Sequence, residues 1–401
     1  MTTYNQNGQY DLNRLELIIP EGDRIDLSSI YIDISLYESI LTPTMSGSVS
    51  IIDTNNLYNF NMLGNGEEIL IDFNTSGSDV SIVFHGVVYK TSPPARVSEH
   101  SSGIVLHFVS KEMINSNRTI IGDSFNAESS VIVSDVFNRI RNVKNIDIVR
   151  SKNIHHFVSA SHKPIELISD LAGRSESTMG EYGYLFYENN KEFVFAPIEF
   201  LYNTDILGQY FYSNSGVYND VNKKEEEAFN NIQNYEIVSV SDLLEQIDDG
   251  VYGSRVSNLN LLDKEIVDIE YDNVSNFRKD RSVAKVPNLR NLVNSNMDDR
   301  TEVRYWPTNE SFHKTRFYNL RTLLNSQRYA ANISVFGDTT NKVGATIECV
   351  LPVWGTEAQK NGDVPDPYSG KCLIMEIKHT LQRTKYIQTM KLIKDSFEAG
   401  A

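Results

Sequence analysis

The sequence predicts an α+β protein that is mainly β. Two antiparallel β-barrels are expected, with a mixed α/β module and a helical, charged insertion set among them. Three observations lead there. Short runs alternating apolar and polar residues dominate both ends of the 401-residue chain. Helical periodicity is confined to the middle. The two β-rich ends also resemble each other in order and spacing. Hydrophobic residues at 40% and aromatics at 10% supply material for a core of this size.

The first block, 10–112, reads as strands at Arg14–Ile19, Ser46–Asp53, Glu68–Phe73, Val80–Lys90 and Gly103–Ser110, with a turn at Pro20 to Asp23. Residues 113–202 read as the mixed module. Ile132, Val136, Ile140 and Val143 form one apolar stripe from about 128 to 143. Pro164 suits the first turn of a second helix carrying Ile165, Ile168 and Leu171. Tyr184–Tyr187 and Phe193–Phe195 flank Asn189-Asn190 as a hairpin. Residues 203–230 are a polar connector. The second barrel is expected from 231–275 and 328–397. Its strands are Asn231–Val240, Lys264–Asp272, Asn332–Phe336, Val343–Val350, Lys371–Lys378 and Lys385–Lys394, with a tight connection at Asp248 to Gly253. Residues 276–327 form the insertion, with a helix expected near 317–331.

The ends agree in order and approximate spacing while residue identity is thin, and chance similarity between two antiparallel meanders is the alternative. Ser48-Val-Ser-Ile-Ile-Asp-Thr-Asn55 matches Asn332-Ile-Ser-Val-Phe-Gly-Asp-Thr-Thr-Asn341. Gly66-Glu-Glu-Ile-Leu-Ile-Asp-Phe73 matches Gly344-Ala-Thr-Ile-Glu-Cys-Val350, and Val80–Lys90 matches Lys371–Lys378. Phe108-Val-Ser-Lys-Glu112 matches Leu392-Ile-Lys-Asp-Ser396. Two related halves follow if the match is a true repeat. Three such chains around an axis would present six similar units, able to join a six-fold tube to a three-fold object.

Charge narrows the function. Lys plus Arg is 37 and Asp plus Glu is 53, for a formal charge of −16. Residues 1–110 hold four basic residues (Arg14, Arg24, Lys90, Arg96) against 13 acidic ones, and 276–330 hold 11 against 5. The overall sign opposes a general nucleic-acid coat. The basic segment reads as a solvated face or as a docking surface for an acidic partner, including another copy of the chain. The chain lacks a run of about 18 apolar residues, so no membrane helix is expected. The polar opening residues predict no secretory leader. Cys349 and Cys372 read as buried thiols made in a reducing compartment.

No catalytic, cofactor-binding or metal-binding residue is expected. His155, His156 and His162 are the only histidine cluster, and adjacent histidines on a strand point apart. Gly64-Asn-Gly66 leads into a strand, so it is no phosphate cradle.

The C-terminal stretch carries a family resemblance. Lys342-Val-Gly-Ala-Thr-Ile-Glu-Cys-Val-Leu-Pro352, Asp366-Pro-Tyr-Ser-Gly-Lys-Cys-Leu-Ile-Met-Glu-Ile-Lys-His379 and Tyr386 through Lys394-Asp-Ser396 resemble the close of the central baseplate hub proteins of T-even-like contractile-tailed phages. Gly250-Val-Tyr-Gly-Ser254 with Asp263, Lys264 and Tyr271 is similar to the middle of those proteins. Tyr37-Glu-Ser-Ile40 before Gly47–Asp53 is similar to their opening. Residues 203–230 and 276–315 match poorly.

The resemblance implies a homotrimer with two tube-protein-like barrels per chain, related also to the hub portions of type VI secretion spikes. It implies a structural virion protein, assembled in the host cytoplasm, that encloses the DNA exit channel without binding DNA specifically. Implied partners are the cell-puncturing spike, tail tube and tube-initiating proteins, baseplate wedge proteins and the tape measure. No enzymatic activity, cofactor or membrane insertion is implied. The expected channel wall is acidic, drawn in part from residues 1–110, so that DNA slides. The alternatives are another tail adaptor, a tail hydrolase with paired carboxylates, or a glycan-binding β protein using Tyr202, Tyr210, Tyr212 and Tyr218 as platforms.

Overall fold

The computed structural model describes residues 8–20, 22–53, 66–98, 101–140, 144–212, 229–240, 253–260, 264–272, 301–305, 310–325, 329–351 and 369–394. Most of the basic segment 276–330, the turn at Asp248–Gly250 and much of the polar connector lie outside them.

In the first half, β1 (Tyr10–Ile18), β2 (Arg24–Asp26), β3 (Tyr31–Ser39), β4 (Ser46–Asp53), β5 (Glu68–Thr75), β6 (Ser81–Thr91), β7 (Ala95–Ser98) and β8 (Ser101–Ser110) precede α1 (Lys111–Asn117). The mixed module holds β9 (Ser124–Glu128), α2 (Ser129–Arg139), β10 (Ile146–Ile148), β11 (Ile154–Val158), α3 (Pro164–Ala172), β12 (Tyr184–Glu188), β13 (Phe193–Pro197) and α4 (Ile198–Tyr202). Then come β14 (Ile206–Phe211), β15 (Asn234–Val240), β16 (Gly253–Asn260), β17 (Glu265–Asp272), β18 (Thr301–Tyr305), α5 (Glu310–Asn325), β19 (Tyr329–Phe336), β20 (Thr346–Val350), β21 (Gly370–Gln382) and β22 (Lys385–Lys394).

The repeat is present as topology and as register. β4, β8, β6 and β5 are neighbours in that order, and so are β19, β22, β21 and β20. Ser48 faces His107 as Asn332 faces Lys391, and Glu68 faces Val87 as Thr346 faces Leu373. Ser48 and Asn332, and Glu68 and Thr346, fall at matching places in the compared stretches. Each half also has a β-bulge at the same point, between Val88 and Lys90 opposite Phe108 and between Ile374 and Glu376 opposite Leu392. Even single hydrogen bonds repeat: Val88 N donates to Glu67 O at 2.8 Å, and Ile374 N to Ala345 O at 2.9 Å. Gly66 and Gly344 open the matched strands with φ of 100° and 79°, a conformation that favours glycine. Flanking strands also match in place, since β3 lies beside β4 as β15 lies beside β19. One departure is that β1 runs antiparallel to β5, whereas β14 runs parallel to β20.

The mainly-β α+β reading holds, but the halves do not close into separate barrels. Among the described residues they share one 14-stranded sheet. The reason lies in strand length. β21 has 13 residues, and β20 covers only its start, through Leu373. Beyond the bulge its free edge must find other partners. It takes β3, from Glu376 opposite Ser39 to Gln382 opposite Asp33. The apolar cores interlock at this join: Leu381 and Tyr386 lie in the first half's core, and Ile40 lies in the second's.

Other expectations shift locally. The helix near 317–331 is α5, which ends at Asn325, and Tyr329 already belongs to β19. The strand at 264–272 does not join the second half. It pairs with β16, which also pairs with β18, in a separate three-stranded sheet. The hairpin β12–β13 is buried on both faces. Tyr184, Phe186, Phe193 and Phe195 enter the module's core with α2 and α3, while Leu185, Tyr187, Val194 and Ala196 enter the second half's. Period-two alternation thus divides one hairpin between two cores. Among the described residues no helix is long and apolar enough to cross a membrane.

Candidate functional site

The join of the two halves carries the largest buried polar network described. His379 on β21 sits in a core-facing phase between Ile377 and Leu381, and Glu38 on β3 sits between Leu36 and Ile40. Strand pairing brings them together, with His379 Nε2 at 2.9 Å from Glu38 Oε1. His379 Nδ1 lies 2.7 Å from the Tyr386 hydroxyl, to which Gln388 Nε2 donates at 2.9 Å. Asn341 donates from Nδ2 to Gln388 Oε1 and to the Tyr210 hydroxyl, at 2.9 and 2.7 Å. The module enters through Asn190, whose backbone N–H donates to Glu38 Oε2 and whose side chain donates to Asn341 O. Burial and the nearby Asp338 and Glu38 charges push the Tyr386 hydroxyl far above its ordinary range. Three parts of the chain are therefore tied by groups that have no water to fall back on.

A second buried tie fixes the module to the first half. Glu188, at the end of β12, accepts from Met45 N at 2.8 Å and from the Ser110 hydroxyl, and pairs with Lys144 Nζ at 2.8 Å. Burial pushes its carboxyl above the usual range against the pull of Lys144.

The opposite face of the shared sheet is open and polar. Along its central strands lie Ser46, Ser48, Ser50, Ser334, Thr380 and Thr389, with rows running unbroken across the join, as in Ile387–Thr380–Ser35–Ser48–His107. Asp33, Glu236 and Glu376 and Lys378, Lys385 and Lys391 lie on this face, which continues across β8 and β6 to Glu68 and Asp72 on β5 and Glu16 on β1. Two of these lysines lie over aromatic rings and the third stands across from a carboxylate. Lys391 is directly opposite Glu376, Lys378 lies 5.5 Å from the Tyr37 ring centroid, and Lys385 lies 5.4 Å from that of Phe336.

The histidine cluster does not converge. His155 is buried on β11 with Nε2 lacking a hydrogen-bond partner, His156 is exposed opposite Asn126, and His162 Nδ1 lies 3.1 Å from the Ser159 hydroxyl. No group of three potential metal ligands occurs among the described residues. The tyrosine platform does not form either. Tyr202 and Tyr210 are buried, Tyr212 packs edge-on to Tyr235, and Tyr218 lies outside the described residues. Cys349 and Cys372 are buried free thiols. The sequence reading missed the Glu38–His379 pair. A signal existed: each is a lone ionisable residue in the apolar phase of an alternating strand.

No protein-family model matches the chain, and no curated protein matches it in sequence. Solved structures do match in fold. A 43 kDa tail protein of prophage MuSo2 from Shewanella oneidensis aligns with TM-score 0.58 at 11% identity, over 98% of this chain and 100% of that one. A tail protein from Neisseria meningitidis MC58 aligns with TM-score 0.55 at 12% identity, over 96% of each.

Proposed function

We propose that this chain, which has the fold of phage tail proteins, is the trimeric central hub of a tail baseplate. It joins the six-fold tail tube to a three-fold spike, in contact with wedge proteins, and is a virion component without catalytic activity. The supporting observation is the register-matched duplication, which gives three chains six nearly equivalent units.

On this reading the open polar face lines the channel. Its chemistry suits passage of DNA differently from the expected acidic wall. Phosphates bind where uncompensated cations line up. Here Lys378 and Lys385 lie over aromatic rings and Lys391 stands across from Glu376, with hydroxyl and apolar side chains between them. Carboxylates stand among these lysines and beyond them on β5 and β1, so the wall offers DNA no continuous hold.

Co-expression with the tube protein of the same tail tests the role. Native mass spectrometry is expected to show three copies of this chain bound to six of the tube protein. A stable complex with equal copy numbers would contradict it.

A further inference from the structure

Among the described strands, β9 and β11 of the mixed module pair only with each other, with Phe157 opposite Phe125 and His155 opposite Ala127. A two-stranded ribbon is marginal by itself and holds only by what one face packs on. Here Ala127 and the rings of Phe125 and Phe157, with centroids 5.4 Å apart, lie on the core built with α2 and α3. The same face carries His155, which is 9% exposed and whose Nε2 has no hydrogen-bond partner. An unpaired buried polar atom subtracts from the burial that holds the ribbon down. Strand alternation also sends the better apolar residues outward: Ile154 and Val158 are 59% and 68% exposed. The chain then leaves β11 through Ser161, whose φ of 64° is a left-handed conformation uncommon for a residue with a side chain.

We propose that the β9–β11 ribbon is an acid-released flap: protonating His155 lifts it from α2 and α3 while the shared sheet stays paired. The charges around the imidazole set the direction. Asp170 on α3 and Arg174 just beyond that helix act on it, and His156 is next to it on β11. Asp170 is already paired with Arg174, so an imidazolium there meets one cation and a carboxylate that is taken. The buried side chains of α2 are uncharged, as are Phe125 and Ala127 on β9. Glu128, at the end of β9, is held by Arg150 Nε and Nη2, each at 3.0 Å. Burial and Arg174 accordingly keep the ring neutral down to about 4. Released into water, the same ring takes a proton near its ordinary value of about 6.5, so acid favours the open ribbon.

The shared sheet has no such weak point at its own buried histidine. His379 is met at both ring nitrogens, by Glu38 and by the Tyr386 hydroxyl. Within the module, α2 and α3 keep the β12–β13 hairpin as a packing partner through Phe186, Phe193 and Phe195. The ribbon can therefore open as a local unit, baring Phe125 and Phe157, without the rest of the chain unfolding.

Hydrogen exchange read by mass spectrometry on the full chain tests this, with each measured rate referred to the intrinsic rate at its own pH. From pH 7 to pH 4.5 the amides of β9 and β11 are expected to lose protection about tenfold per pH unit below about pH 6, while those of β4 and β8 keep theirs. His155→Gln has no titrating ring and is expected to hold the ribbon's pH 7 protection in acid. Ribbon amides that stay protected, or that loosen only in step with β4 and β8, would overturn the proposal without any variant. An equal acid loss in His155→Gln would overturn it by assigning the release to another group.

Discussion

Glu38 and His379 lie 341 residues apart in sequence and 2.9 Å apart in space, and neither side chain exposes any surface. They fasten the first half to the second at the middle of the shared sheet. Their burial makes the join sensitive to loss of either member. Removing one partner of a buried pair strands the other, at a cost of about 3–5 kcal/mol. His379→Ala is expected to lower unfolding stability in urea by that amount. A loss under about 1 kcal/mol would show that the network does not hold the halves together.

Lys144 and Glu188 make a pH-dependent version of the same claim. The Glu188 carboxyl is raised by burial, so its folded-state pKa exceeds its unfolded one. Its contribution to stability is full below the ordinary carboxylate range and is lost as pH rises through the folded value. Lys144→Met removes the compensating charge and raises that value further. The variant is expected to lose more stability at pH 8 than at pH 5, and Glu188→Gln in the same chain is expected to restore much of it. Thermal melts showing equal losses at both pH values would refute this.

His155 predicts a slope of opposite origin. Burial, helped by the charge of Arg174, pushes its imidazole down to about 4. The folded state therefore disfavours protonation. Stability is full above the unfolded value near 6.5 and declines as pH falls toward 4. About 1–2 kcal/mol is expected over that window, after discounting for partial solvent screening. His155→Gln should flatten that part of the profile. An unchanged slope in equilibrium denaturation from pH 7 to 4 would count against the assignment.

The matched glycines separate backbone strain from crowding. Both Gly66 and Gly344 have positive φ, so alanine strains either by about 1 kcal/mol. A Cβ at Gly66 meets open space, whereas one at Gly344 falls 1.9 Å from the Tyr187 hydroxyl oxygen. Gly344→Ala is expected to cost at least about 2 kcal/mol more than Gly66→Ala, and Tyr187→Phe is expected to recover part of the difference. Equal costs by chemical denaturation would contradict the stated packing.

Much of this architecture was legible in period-two patterning. The compared stretches begin at Ser48 and Asn332 and at Gly66 and Gly344, and the strands they lead into pair in the same order and register. Pro164 does open a helix, and Asn189-Asn190 does sit at a hairpin turn. What patterning could not supply was which strand fills a free edge. Nothing local in β21 says that it outruns β20 and takes up β3. That pairing depends on length and on unsatisfied amides, so separate barrels were expected where one sheet exists. The strand at 265–272 shows the same limit, because alternation marks it as β without naming β16 and β18 as its sheet. The polar network was hidden for a related reason: Glu38 and His379 become partners only through that distant pairing.

The duplicated sheet matters for function only if copies complete it. Analytical ultracentrifugation of the purified 45.5 kDa chain, combined with class averages viewed along the symmetry axis, tests this most directly. The expected result is a mass of three chains and a ring of six similar lobes around an open centre. A mass of two chains, or three lobes with the halves at clearly different distances from the axis, would contradict it.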